Sequence, residues 1–142
     1  MNEFMPEKLA ELIEDFQMCE GREKLEYLLD LSERLPALPP ELEGQQDGMA
    51  EVHECLTPVF VHGELVDGKM HYWFAVPPDA PTARGYASML MEGINDQATP
   101  AEILRIPDLF YLDTGLQTVL TGQRMHGVSA FLRYMKQIAS TL

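Results

Sequence analysis

Cys55 is the residue of this sequence best placed to perform chemistry. It stands in a short polar stretch directly before residues 57–65, which are rich in strand-forming side chains, so we expect it in a loop between two extended segments. The neighbouring carboxylates of Glu51 and Glu54 hinder formation of the thiolate, the reactive form of a cysteine. This pattern favours a thiol that reacts only when a partner supplies the activating environment. The alternative is a buried, inert cysteine, because free cysteines are among the most buried residues.

Histidines and arginines offer further candidates. A metal site would have to combine Cys55 with some of the four histidines, but zinc sites use three or four ligands at characteristic spacings, and no such spacing is present in His53, His62, His71 and His126. We therefore expect no metal, while a Cys55–His126 dyad of a thiol enzyme stays open. Arg84 and Arg124 stand out because basic residues are scarce. Each could hold a carboxylate or stabilise a thiolate near Cys55, or could simply be a solvated residue at a helix end.

Composition excludes several classes of function. The net charge is -13, from 23 acidic and 10 basic side chains, so we expect neither a nucleic acid nor a membrane as partner. A basic protein surface is the more natural counterpart, although the charge could serve solubility alone. The sequence contains no glycine-rich phosphate loop, no CxxC pair, no G-x-S-x-G and no H-E-x-x-H. Two cysteines, no long apolar run and no signal-peptide pattern lead us to expect a reducing cytoplasm.

The first half of the chain predicts the elements that surround Cys55. Hydrophobic periodicity indicates helices over residues 6–18 and 22–34, followed by a proline-rich connection over residues 35–48. A short strand is expected over residues 49–53 and a longer one over 57–65. Asp67-Gly68 is a strong signal for a tight hairpin turn, with a return strand over residues 69–76. On that strand, His71, Trp73 and Ala75 should face away from Met70, Tyr72, Phe74 and Val76.

The second half of the sequence predicts helices that could cover this sheet. Asp79 is a plausible N-cap for a helix that runs to about Ile94, and Thr99-Pro100-Ala101-Glu102 has the residues of a capping box. Residues 110–120 should be helical with an interruption near Gly115, and a last helix is expected over residues 127–139. The whole pattern predicts an α+β fold, in which an antiparallel sheet of about three strands packs against helices. With 142 residues we expect one domain, residues 1–142, and a monomer.

Several short motifs, in this order and at these spacings, resemble the SufE family of sulfur-acceptor proteins over nearly the whole chain. They are Leu35-Pro36-Ala37-Leu38-Pro39, Val52-x-Glu54-Cys55-x-Thr57-Pro58-Val59-Phe60, Asp79-Ala80 followed by Arg84-Gly85, Thr99-Pro100-x-Glu102-Ile103-Leu104, and Gln123-Arg124-Met125-His126-Gly127. Family members resemble the IscU-type scaffold in fold, with a small antiparallel sheet packed against helices. This expectation agrees with the pattern of elements read from the residues.

The resemblance implies a function for Cys55. The matching cysteine receives a persulfide sulfur from a cysteine desulfurase, stimulates that enzyme, and passes the sulfur to a scaffold for iron–sulfur cluster assembly. It implies no resident cofactor, only a transient cysteine persulfide. Two alternatives are an adaptor that activates a desulfurase by binding alone, and a stand-alone thiol enzyme such as a peroxidase, which the acidic neighbours of Cys55 disfavour.

By the same resemblance, Asp79 belongs to a segment near the cysteine loop and Arg124 matches an arginine associated with partner docking. We place Glu54, Arg84 and His126 with them as partner-docking or loop-supporting residues. The sequence also departs from the family, because many members have glycine where this chain has Glu54. Gln123, Met125 and His126 likewise replace a pattern with serine and asparagine.

Overall fold

Within residues 3–142, which the computed structural model describes, the chain forms six α-helices and one three-stranded sheet. The helices are α1 (Glu7–Met18), α2 (Arg22–Glu33), α3 (Pro81–Ile94), α4 (Pro100–Ile103), α5 (Gly122–Ser129) and α6 (Phe131–Ala139). The strands are β1 (Ala50–Glu51), β2 (Phe60–Val66) and β3 (Lys69–Ala75), and short 3-10 turns cover Gln46–Gly48, Phe110–Thr114 and Leu116–Thr118. This arrangement confirms the predicted α+β fold.

The sheet is antiparallel throughout, with β2 between β1 and β3. Asp67 and Gly68 both have positive φ, 53° and 81°, which is the backbone that a tight hairpin turn of matching twist requires. The alternation predicted for β3 is confirmed, because Met70, Tyr72 and Phe74 are buried while the residues between them are partly exposed. One face of the sheet therefore belongs to the core and the other faces solvent.

Helix α3 lies at the centre of the molecule and is buried on most of its surface. On one side it meets α1 and α2 at two glycines. A Cβ atom placed on Gly93 would lie 2.9 Å from Cβ of Leu9, and one placed on Gly85 would lie 2.9 Å from Cγ of Leu28 and even nearer to the Leu28 carbonyl oxygen. Glycine at these positions lets the helix backbones approach closely, because there is no side chain to separate them.

The start of α3 differs from the prediction for Asp79. The helix begins at Pro81, the residue before it is Ala80, and no side chain caps it. Proline is favoured at the first helical position, where its missing N–H costs nothing, so the capping position falls on residue 80. Asp79 is therefore one residue outside the cap and is exposed.

The predicted last helix is divided into α5 and α6, and it starts earlier than residue 127. The Thr121 side chain accepts a hydrogen bond from the Arg124 amide at 3.2 Å, so this cap begins α5 at Gly122. At the division, the Ser129 hydroxyl donates to the His126 carbonyl at 3.2 Å, and the Ala130 amide donates to the carbonyl of Gly127, three residues back. Such contacts tighten and bend a helix.

The interruption predicted near Gly115 is confirmed, since Gly115 has φ of 75° between two 3-10 turns.

We predict that Gly85→Ala lowers the free energy of unfolding by ~2–3 kcal/mol, because the backbone oxygen of Leu28 cannot rotate away from the added methyl group. Urea unfolding followed by circular dichroism would measure this change. Gly48→Ala is the matched control, since a Cβ atom at Gly48 meets nothing within 4 Å. Equal stability of the two variants would contradict the close approach of α2 and α3.

Candidate active site

Cys55 lies in a loop that connects β1 to β2, as predicted. The buried residues Val52 and Val59 close the base of the loop, because the Val52 amide donates to the Val59 carbonyl at 2.8 Å. Between them, the Cys55 amide donates to the Val52 carbonyl at 3.2 Å and turns the chain back on itself. Leu56 stands at the tip with 81% of its surface exposed. We call residues 53–58 the cysteine loop. The predicted strand over 57–65 starts only at Phe60, because Thr57 and Pro58 belong to this loop.

The thiol of Cys55 rests against α5 at Gly127. A Cβ atom on Gly127 would lie 3.0 Å from Sγ of Cys55 and 3.4 Å from its Cα, so any other residue would crowd the cysteine loop in this position. Cys55 is half-buried here and lines a cleft of about 450 Å³ between the cysteine loop, the start of α3 and α5. The thiol is therefore held inward at the wall of the cleft, while Leu56 beside it faces solvent.

Burial and a neighbouring charge keep the thiol protonated. Desolvation, and then the carboxylate of Glu54, raise the pKa of Cys55 to about 11. At neutral pH the thiolate is thus a very small fraction of the resting protein. The Glu54 carboxylate hinders thiolate formation at Cys55, as expected, although burial is the larger cause of the raised pKa.

Glu54 points away from the cleft and contacts α6. Its carboxylate accepts a hydrogen bond from the Tyr134 hydroxyl at 2.8 Å and pairs with the Arg133 guanidinium. These contacts, with the Tyr134 hydrogen bond the most important, hold the pKa of the Glu54 carboxyl below its usual range. The carboxylate therefore stays ionised next to Cys55.

The remaining candidates separate into two groups. Asp79 and Arg124 both line the cleft with Cys55 and are exposed. Arg84 instead donates to the Val76 carbonyl at 3.0 Å and lines a second cleft, of about 520 Å³, beside the proline-rich connection. His126 is exposed on α5, and among residues 3–142 no hydrogen bond joins it to Cys55. The structure thus brings together Cys55, Asp79 and Arg124.

Sequence reasoning assigned no role to three residues of this site. Gly127 was part of a motif, and a glycine inside a helical segment can indicate a close approach of backbone, so this signal was available. Tyr134 and Arg133 carried no such signal, since they are 80 and 79 residues from Glu54 in sequence. Their partnership with Glu54 depends on how α6 packs against the sheet.

Comparison with known proteins assigns the chain to a family. The model of the SufE domain, described as an Fe-S metabolism associated domain, matches residues 10–139. The chain belongs to the SufE family. An uncharacterised SufE-like protein of Mycobacterium tuberculosis is 38% identical over 134 residues, which cover 94% of this chain and 92% of that protein.

Two further comparisons extend this result. The solution structure of a hypothetical protein from Thermus thermophilus matches with a TM-score of 0.83 and 31% identity, covering 96% of each chain. A relative from Plasmodium vivax, named cysteine desulfuration protein SufE, is 26% identical over 140 residues, which cover 95% of this chain and 54% of that protein. The resemblance inferred from the motifs is therefore confirmed, and so is the SufE-like α+β fold.

No group of three or more histidine, cysteine, aspartate or glutamate side chains in residues 3–142 is arranged to hold a metal ion. Both cysteines of this SufE-family chain, Cys19 and Cys55, are free thiols. In the part of the chain that the structure describes, no helix is long and apolar enough to cross a bilayer.

We predict that alkylation of Cys55 by iodoacetamide has a pH midpoint well above that of an ordinary thiol. Because the thiolate is populated only as the pH rises through a pKa of about 11, the rate should still increase steeply above pH ~9. The measurement uses the Cys19→Ser variant, so that Cys55 is the one thiol present. The same variant unfolded in urea is the control and should give a midpoint near ~8.5. Equal midpoints in the folded and unfolded chain would contradict this prediction.

Proposed function

We propose that this chain is a sulfur acceptor in cysteine desulfuration, and that Cys55 carries the sulfur as a persulfide. The observation that carries the proposal is the position of Cys55, on a protruding loop at the wall of a cleft that also contains Arg124 and Asp79. The family's association with Fe-S metabolism and the name of the Plasmodium relative support this chemistry.

The transfer step is an exchange between two cysteines. The thiolate of Cys55 attacks the outer sulfur of a persulfide on the desulfurase, a new bond forms between Sγ of Cys55 and that sulfur, and the sulfur–sulfur bond on the donor breaks. The donor cysteine leaves as a thiolate and takes the proton that Cys55 has lost. No external oxidant or reductant is needed, because one persulfide replaces another.

The resting geometry favours a thiol that is activated only in a complex. In the free protein, burial and Glu54 oppose ionisation of Cys55, so the chain reacts poorly on its own. Movement of the cysteine loop out of the cleft into a partner would remove the burial that is the larger of these two causes. This dependence favours the acceptor over a stand-alone peroxidase, which needs a thiolate in the free enzyme.

We assign partner contacts to the two charged residues of the cleft. Arg124 is exposed and cationic in a chain of net charge -13, so it can bind a partner carboxylate or the negative charge of the persulfide. Asp79, on the other wall, can bind a cationic side chain of the partner. We further propose that the chain stimulates its desulfurase and passes the sulfur to an iron–sulfur scaffold.

The test of this function is intact-protein mass spectrometry after incubation with free cysteine and a cysteine desulfurase. We expect an added sulfur on Cys55 that is lost on reduction, and no added sulfur in Cys55→Ser. Cys19→Ser is the matched control and should accept sulfur normally, since Cys19 lies at the end of α1, outside the cleft.

Assays of desulfurase activity and of peroxide consumption would distinguish the alternative functions. If Cys55→Ser still stimulates the desulfurase in the presence of a chemical reductant while no sulfur is found on the parent protein, the chain is an adaptor. If the parent protein consumes peroxide without any partner, Cys55 belongs to a thiol enzyme. Full sulfur transfer by Cys55→Ser would end the persulfide proposal.

A further inference from the structure

We propose that Glu54 and Tyr134 form a latch that holds the cysteine loop closed and thereby controls how readily Cys55 reacts. Glu54 and Tyr134 are positioning residues, since neither touches the reacting sulfur. The inference rests on the proposed function in one respect, namely that opening of the cysteine loop would deliver Cys55 to a sulfur donor. The latch itself is a property of the free protein.

The latch joins two consecutive residues of the cysteine loop to one side chain of α6. The Tyr134 hydroxyl donates to the Glu54 carboxylate at 2.8 Å and accepts from the His53 amide at 3.4 Å, so it uses both of its hydrogen-bonding capacities on the loop. The Arg133 guanidinium pairs with the second carboxylate oxygen of Glu54. Hydrogen bonds to a charged acceptor are stronger than those between neutral groups.

Helix α6 is a fixed support for this contact. Phe131, Leu132 and Met135 are almost completely buried. The Tyr72 hydroxyl of β3 donates a hydrogen bond to the Met135 carbonyl at 2.8 Å, and the Lys136 ammonium group donates one to the Ile106 carbonyl at 2.6 Å. When the contact breaks, the cysteine loop is therefore the part that moves.

The cysteine loop has few other attachments. Among the residues that the structure describes, every side-chain hydrogen bond between residues 53–58 and another element ends on Tyr134 or Arg133. The tip residue Leu56 is 81% exposed, and the thiol itself rests on Gly127 through van der Waals contact. Loss of the Tyr134 hydroxyl should thus shift the loop toward open conformations.

The exposure of the two glutamates near Cys55 indicates which of them supports the cysteine loop and which is available to a partner. The side chain of Glu54 is 23% exposed and turned toward α6, whereas that of Glu51 is 45% exposed. A residue that recruits a partner presents its charge to solvent, so Glu54 has the position of a loop-supporting residue. While latched, its carboxylate also stays near the thiol and helps to keep the pKa of Cys55 high.

The test is the rate at which iodoacetamide alkylates Cys55 in the folded protein, with Cys19→Ser as the background of every variant. For Tyr134→Phe we expect a roughly tenfold faster reaction, which is the change in the open population that the loss of about 1.4 kcal/mol would cause. Tyr27→Phe is the matched control, because the Tyr27 hydroxyl also bonds a carboxylate, that of Asp15 at 3.0 Å, but far along the chain between α1 and α2. This control should keep the parent rate.

Glu54→Gln removes the negative charge of this side chain and so separates the effect of the charge from that of the Tyr134 hydrogen bond. We expect it to accelerate alkylation at least as much as Tyr134→Phe does. The acceleration in the double variant should be less than the product of the two single accelerations, because both substitutions act on one contact. Glu51→Gln removes a nearby charge without touching α6. The Glu51 carboxylate lies 4.0 Å from the exposed ring of His53, and loss of this solvent-exposed pair should change the rate little. Acceleration by Glu54→Gln with none by Tyr134→Phe would overturn the latch and leave a charge effect alone.

The assay contains no desulfurase, so the latch and the proposed function can fail separately. If Tyr134→Phe accelerates alkylation but Cys55 never gains sulfur from a desulfurase, the latch stands and the acceptor function is wrong. If Cys55 gains sulfur but the alkylation rates of Tyr134→Phe and Tyr27→Phe are equal, the latch is wrong and the function stands. A thermal melt of each variant confirms that alkylation is measured on folded protein.

Discussion

The rest of the structure depends on the close packing of α3 between the first two helices and the sheet. Gly85 and Gly93 allow α2 and α1 to approach its backbone, and large residues of the same helix, such as Tyr86 and Leu90, are buried in the core. A helix that is buried on most of its surface cannot shift without opening the core. The start of this helix, after Asp79, therefore forms a fixed wall of the cleft.

The candidate site lies where three independent parts of the chain meet. The cysteine loop comes from the edge of the sheet, the start of α3 forms one wall, and α5 supplies Gly127 as the surface on which the thiol rests. A functional group on a loop that is surrounded by rigid elements can move while its surroundings stay in place. This arrangement suits the proposed function, in which Cys55 moves out of its cleft to react with another protein.

Burial and electrostatics act in the same direction at Cys55. The half-buried position and the ionised Glu54 both favour the thiol over the thiolate, and the contacts of Glu54 with Tyr134 and Arg133 keep that carboxylate ionised and in place. Under the proposed function, movement of the loop out of the cleft would remove the burial of Cys55 and so raise its reactivity in a complex. If the partner presents a basic surface, the net charge of -13 would add a long-range attraction to it.

Local pattern was enough to predict most of the fold. Alternation along β3, the Asp67-Gly68 turn and the loop position of Cys55 each depend on neighbouring residues, whose backbone preferences are expressed locally. Tertiary structure decided the rest. The contact of Cys55 with Gly127, and the attachment of Glu54 to Tyr134 from 80 residues away, exist because α5 and α6 pack beside the sheet. Periodicity shows which face of a helix is buried, but not which distant side chain it will meet.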